Sequence, residues 1–203
     1  MRFSWMCILH PLSFGARRDR LVPLMARAGC NSISFGAQSA NAEILKNVDR
    51  YPRETRALER MLNLCRQSGV LSIMTYIFGL PGETAETIRE STTWSLRHRP
   101  HLVDYHPLFV LYGSEIKRRY GDAPVTTLPQ DTIEKACAAA FRRFYLRPGT
   151  AWRLLSFVVR RNPAYLLRAA FAVKRLFALM LESRGVEFHL SPTGHAPSAV
   201  PGR

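Results

Sequence analysis

The 203-residue chain has no run of about eighteen apolar residues, which excludes an ordinary transmembrane helix. Cysteine is sparse, at positions 7, 30, 65 and 137, and no two stand in a CxxC or CxxxC spacing. A local metal knuckle is therefore not written here, and buried or idle thiols are the plain reading. Residues 1–9 hold one arginine and a short apolar patch without a small-residue cleavage pattern, which argues against a secretory signal. Acid is the other scarcity, and it is local: none occurs between Glu134 and Glu182. Residues 1–116 carry 14 basic and 10 acidic side chains, whereas residues 117–203 carry 15 and 5. The first part reads as a balanced domain and the second as a basic appendage. With 47% hydrophobic and 22% charged residues, the composition excludes wholesale disorder, a collagen and a disulfide miniprotein.

Within that composition the apolar runs alternate in kind. Phe3 to Leu9, Ser32 to Phe35, Val70 to Phe78 and Leu102 to Leu111 read as strands. Helices are expected from Asp19 to Ala28, with Leu21, Leu24, Met25 and Ala28 inward, briefly from Asn41, and from Pro52 to Gly69. The last of these carries the stripe Ala57, Leu58, Met61, Leu62 and Cys65. Thr84 can cap a further helix whose acids come early and whose Arg97 and His98 come late, as the helix dipole prefers. Strand starts spaced by about 30–38 residues match a βα unit, so the class is α/β with a parallel sheet. Four units are too few to close an eight-stranded barrel. The alternation then stops: Asp131 to Leu146 is helical, with Ile133, Ala136, Cys137, Ala140, Phe141 and Phe144 inward. Basic helices are expected over 151–161 and 163–183, before a disordered tail over 189–203.

Chemistry is suggested at two strand ends. Thr75-Tyr76-Ile77-Phe78-Gly79-Leu80-Pro81-Gly82-Glu83-Thr84 runs from an apolar strand through a glycine-proline turn into a helix start. Glycine lets a ligand approach the backbone, and the amides that follow can receive anionic or polar groups. The same pattern also serves as a plain strand-to-helix turn. Gln38 and Ser39 follow the second strand at its carboxyl end, where active sites of βα barrels gather. His98, His101 and His106 lie close in sequence but lack a metal-ligand spacing, and Glu83 is either a base or an ordinary helix-start acid.

The segments AGCNSISFGAQSANAEILKNV, GVLSIMTYIFGLPGETAETIRE and HPLFVLYGSEI resemble consecutive pieces of the radical S-adenosylmethionine (SAM) core. They are most similar to enzymes carrying a cobalamin-binding domain, such as anaerobic magnesium-protoporphyrin ester cyclases and hopanoid-modifying enzymes. FRRFYLRPGTAWRLL resembles the helical extension after that barrel, so the likeness spans about residues 3–160. The resemblance implies a partial TIM-like (β/α) barrel of about four parallel βα units over 1–116, and a helical C-terminal extension over 117–188. It implies that Gln38 and Ser39 lie near the ribose and amino-acid parts of SAM; the family more often has Glu at the first of these. Ile77, Gly79 and Pro81 match the strand beside the adenine, with Thr75 where a glycine is common. Leu111, Tyr112 and Gly113 loosely match the end of the last core strand.

The family holds a [4Fe-4S] cluster through CxxxCxxC, a motif this sequence lacks. The resemblance therefore implies the third strand onward of a radical SAM barrel, inactive alone, with the missing N-terminal half a candidate separate chain. Any cobalamin would belong to a domain not written here. The expected reaction is reductive SAM cleavage for radical modification of a small-molecule or lipid-like substrate, in the cytoplasm. The rival reading is a non-catalytic split subunit or interaction module. Apolar side chains from Trp152 to Met180 are interleaved with arginines, which suits either helices capping the barrel or peripheral membrane contact. Charge alone allows nucleic-acid binding, but no recognisable module supports it.

Overall fold

The computed structural model describes residues 3–51 and 53–161. Strands β1 (Trp5–Leu9), β2 (Cys30–Gln38), β3 (Leu71–Phe78) and β4 (Leu102–Pro107) form one parallel sheet in sequence order. They are connected by α1 (Arg18–Arg27), by α2 (Ala42–Asn47) with α3 (Arg53–Gln67), and by α4 (Ala85–His98). After β4 come α5 (Glu115–Tyr120), α6 (Gln130–Tyr145) and α7 (Pro148–Arg161). Residues up to Phe157 form one compact unit, and a second begins at Val158. The expected helix over 163–183 and the tail over 189–203 lie outside the described residues.

The core lies on one face of the sheet. Ile33, Phe35, Met74, Tyr76, Phe78, Val103 and Tyr105 are buried there. Against them pack Leu58, Met61, Leu62 and Cys65 of α3 and Ile133, Cys137, Ala140 and Phe144 of α6, all in one cluster. The stripe expected on α3 is thus the buried stripe, each large side chain stabilising by roughly 1.5–3 kcal/mol. The opposite face shows the alternate residues: Met6 and Ile8, then Ser32, Ser34 and Gly36, then Ile73, Thr75 and Ile77, then Leu102, Asp104 and His106. These are half-buried or exposed, with Met6 at 58% and Ile8 at 77%.

Several boundaries differ from expectation, each for a local reason. β2 runs on through Gly36 to a bulge before Gln38. α1 buries Val22 rather than Leu24, which is exposed, because Pro23 occupies its middle and the face rotates. α7 begins at Pro148 rather than Ala151, since proline's fixed φ suits a first helical turn. β4 stops at Pro107 instead of reaching Leu111. Leu108 N still donates to Phe78 O (2.7 Å), after which the chain turns toward Ser114, whose side chain caps α5.

Candidate functional site

The carboxyl end of the sheet is built around the turn after β3. Gly79 (φ 92°) and Gly82 (φ 78°) both adopt the left-handed conformation open to glycine. A Cβ on Gly79 would stand 2.9 Å from Ile133 Cδ1, and one on Gly82 would stand 2.7 Å from Asn47 Nδ2. Asn47 Nδ2 donates to Pro81 O (2.8 Å), tying the turn to α2. Inside it sits Glu83, fully buried, whose Oε2 accepts from Gly79 N (2.5 Å) and Leu80 N (3.2 Å). Burial pushes this carboxyl up to about 7, against the two amides that favour its charged form. Among the described residues its Oε1 has no partner. The turn is therefore not the free anion cradle its sequence suggests, because Glu83 already occupies the Gly79 and Leu80 amides. Nor is Glu83 an exposed helix-start acid: α4 is capped by Thr84, which forms a capping box with Thr87.

Gln38 and Ser39 are adjacent in sequence and opposite in role. Gln38 follows the bulge with φ 63°, a conformation costing a non-glycine residue about 1 kcal/mol or more. Its Nε2 lies 2.8 Å from the position a Gly36 Cβ would take, so its amide folds over that glycine on the open face. Ser39 is 2% exposed and committed to packing: its Oγ pairs with Ser91 Oγ (3.2 Å) and accepts from Asn41 N (3.1 Å). A network also braces the end of β2. Arg50 Nη2 donates to Gly36 O and its Nε to Glu54 Oε2, both at 2.8 Å, and Glu54 is 2% exposed.

Ile77 lies on the open face across from His106, while Gly79 and Pro81 are buried within the turn. Leu111 and Tyr112 are 62% and 98% exposed, beyond the end of β4 rather than on it. The structure thus brings Gln38, Ile77, Gly79 and Pro81 to one end of the sheet and turns Ser39 into the core. Sequence reasoning missed Asp104 and, except as a metal candidate, His106. Both follow from the period-two pattern of Val103-Asp104-Tyr105-His106, which puts the two polar side chains on one face. Asp104 pairs across the sheet with Thr75 and Thr75 with Gly36, making a polar row one step inside Ile77 and His106.

The three histidines separate. His98 Nε2 lies 3.3 Å from Glu59 and its ring stacks on Trp94. His101 Nδ1 accepts from Ser72 N (3.0 Å), and burial lowers its pKa to about 4. The cysteines are less scattered than their numbering. Cys7 lies against Cys30, and burial with that neighbour pushes its thiol up to about 11; burial takes Cys65 and Cys137 to about 12. All four belong to the core side of the sheet, and high thiol pKa values oppose the thiolate form that metals need. Among the described residues no three His, Cys, Asp or Glu side chains gather as a metal site. These residues do not fit an iron–sulfur cluster.

The sequence model of the radical SAM superfamily matches residues 7–94. Over that stretch the chain is similar to the radical SAM superfamily. The chain is 34% identical over 77 residues to the tryptophan 2-C-methyltransferase of Streptomyces laurentii, covering 36% of its own length and 13% of that protein. It is 27% identical over 108 residues to the anaerobic magnesium-protoporphyrin IX monomethyl ester cyclase of Rubrivivax gelatinosus, covering 52% of itself and 19% of the cyclase. The chain thus spans less than a fifth of either curated relative. In fold it is similar to Escherichia coli coproporphyrinogen III oxidase, a radical SAM enzyme, with TM-score 0.58 at 19% identity over 70% of this chain and 32% of that one. The parallel four-stranded sheet with its helices is accordingly a partial TIM-like α/β fold. Among the described residues no helix is long and apolar enough to cross a membrane.

Proposed function

We propose that this chain forms the SAM-binding side of a radical SAM enzyme that modifies a small-molecule or lipid-like substrate. The observation that carries the reading is the open-face cluster of Gln38 and Ile77 beside the Gly79–Gly82 turn, all at the carboxyl end of the sheet. In this reading the Gln38 amide meets the ribose hydroxyls, and Ile77 packs on the adenine. Gly79 and Pro81 keep the turn low enough for that approach, and Leu111 and Tyr112 border the site. Ser39 acts by holding the Gln38 loop to α4 rather than by touching SAM. The named activities of the relatives, on tryptophan and on a porphyrin ester, favour a small organic substrate.

The cluster that reduces SAM comes, in this proposal, from cysteines outside this sequence, with cobalamin in a further domain. In this reading residues 1–116 are the core of the site, and the helices α5, α6 and α7 that follow form its extension. By itself the chain binds SAM without cleaving it. A second reading, a non-catalytic interaction module, is favoured by Phe3, Met6 and Ile8, apolar side chains exposed on or beside β1. Trp152 and Leu155 of α7 are exposed as well, which suits a partner or a peripheral membrane contact. Calorimetric titration with SAM tests the first reading. Saturable binding that weakens at least tenfold in Gln38→Ala and Ile77→Asp is expected, with no 5′-deoxyadenosine formed under reductant. A folded chain that shows no saturable binding overturns it.

A further inference from the structure

Away from the open face, the C-terminal ends of α4 and α6 frame a cleft of about 540 Å³. Its lining is Thr93, Leu96, Arg97 and Arg99 from the α4 side, and Arg143 and Arg147 from the α6 side. We propose that this cleft is a binding site for a phosphate-bearing anion. The site does not depend on the SAM reading, since its residues come from the other ends of the same helices.

Three observations carry the proposal. The first is missing neutralisation. Several cations elsewhere find acids, among them Lys46 with Glu43, Arg50 with Glu54, Arg60 with Asp19, Arg89 with Glu86 and Arg119 with Asp49, and unpaired ones such as Arg20 and Arg27 do not converge on a cleft. Among the described residues none of the four cleft arginines is in an ion pair, and Glu59 is engaged with His98. The helix ends cannot absorb this charge. Each C-terminus offers roughly half a negative charge, so two of them leave about three positive charges over, before Arg66 and Arg153 are added.

The second observation is that the surroundings are fixed. Arg66 donates to His98 O (3.0 Å) and Arg99 O (3.3 Å), and Arg147 Nη1 donates to Leu96 O (3.4 Å). Arg153 Nη2 donates to Thr150 Oγ1 (3.2 Å), while its Nε is buried and, among the described residues, unpartnered. Burial and the charges of Arg99, Arg147 and Arg66 all disfavour the protonated form of Arg153, as an uncompensated cationic cluster should. The third observation is conformational. Arg99 closes α4 with φ 52°, a position where glycine is the unstrained choice. An arginine held there sacrifices stability to point a guanidinium at the cleft.

Several guanidinium forks around one space suit a tetrahedral dianion, which accepts bidentate bonds from more than one of them. Such a phosphate can be free or can belong to a lipid. Arg143 also lines the neighbouring groove between α4 and α6, whose walls include the apolar Ile88, Leu128, Ala136 and Ala140 beside Arg89, Thr92 and Thr132. An acyl chain would find apolar contact there.

The test uses the full chain with two probes. Pyrophosphate is titrated calorimetrically across a salt series. Vesicles of phosphatidylcholine, with and without phosphatidate, are co-sedimented with the protein. Saturable pyrophosphate binding assigns a free phosphate, and binding confined to phosphatidate vesicles assigns a lipid; either supports the site. Arg143→Gln with Arg147→Gln should weaken the positive probe at least tenfold, whereas Arg20→Gln with Arg27→Gln on α1, an equal loss of charge, should leave it unchanged. Arg99→Gly should raise the thermal midpoint while weakening binding several-fold. Failure of both probes in folded protein overturns the proposal, as does equal weakening by the two double variants or unchanged binding in Arg99→Gly.

Discussion

The two faces of this one sheet are made from alternate residues of the same four strands, yet they carry different properties. On the covered face Phe35, Met74, Tyr76 and Phe78 are fully buried against α3 and α6. On the open face Ser34, Thr75, Asp104 and His106 make a polar surface that Ile73, Ile77 and Leu102 interrupt and that Met6 and Ile8 border on β1. A parallel sheet ordinarily buries both faces, and its strands then read as continuous apolar runs. Here the strands alternate. Stability is concentrated on one face, and side chains with unspent polar capacity are left on the other.

The contrast is sharpest at neighbouring positions. Met74→Ala removes a fully buried side chain and should cost about 2–5 kcal/mol, while Thr75→Ala, one residue on and facing the other way, should stay within about 0.5 kcal/mol. Urea midpoints of the two variants check this. Comparable losses would show that the open face is packed as tightly as the covered one.

A smaller effect is expected at Glu83, where the faces meet at the turn. Glu83→Ala leaves the Gly79 and Leu80 amides without their acceptor and should cost about 2–3 kcal/mol. Glu83→Gln keeps an acceptor oxygen and should cost less. The carboxyl is raised from 4.5 to about 7, so the folded state holds its proton more tightly than the unfolded chain. Its contribution is fully present below about pH 4.5 and is lost as pH rises through 7. His101, lowered from 6.5 to about 4, acts with the opposite sign: its contribution is present above 6.5 and lost as pH falls through 4. The stability of the native chain relative to Glu83→Gln should therefore fall between pH 4.5 and 7, because His101 is common to both. A difference that is flat with pH would mean that Glu83 stays ionised throughout.

Much of the covered face was legible in the sequence. The α3 stripe, the inward side of α6 and the four parallel strands follow from local periodicity, and the turn after β3 follows from its own glycines and proline. The open face was harder. The tilt of Gln38 depends on a bulge whose cause is a register shift against β3, which no local pattern announces. Glu83, which accepts from amides four and three residues earlier, reads in sequence as a helix-start acid. The apolar run past Pro107 reads as a strand to Leu111, and the resemblance extends its end to Tyr112, although that proline donates no amide and the chain turns away soon after. The arginine cleft brings together α4 and α6 residues more than forty positions apart, such as Arg99 and Arg143, on helices that meet only in the folded chain.

The smallest expected effect on stability is at Asp104, and it separates the faces most cleanly. Asp104 sits on the open face opposite Thr75, half-buried, and among the described residues its side chain forms no hydrogen bond or ion pair. Its carboxylate is therefore not needed by the fold, and Asp104→Asn should hold the urea midpoint within about 0.5 kcal/mol of the native chain. If SAM lies along this face, the same change removes a negative charge from the surface that receives a sulfonium cation. Its affinity for SAM should then weaken several-fold, most clearly at low salt, where screening is least. A lowered midpoint with unchanged affinity would assign Asp104 to the architecture of the sheet. Unchanged midpoint and affinity together would place the bound cofactor away from β4, toward Gln38 and the edge of β2.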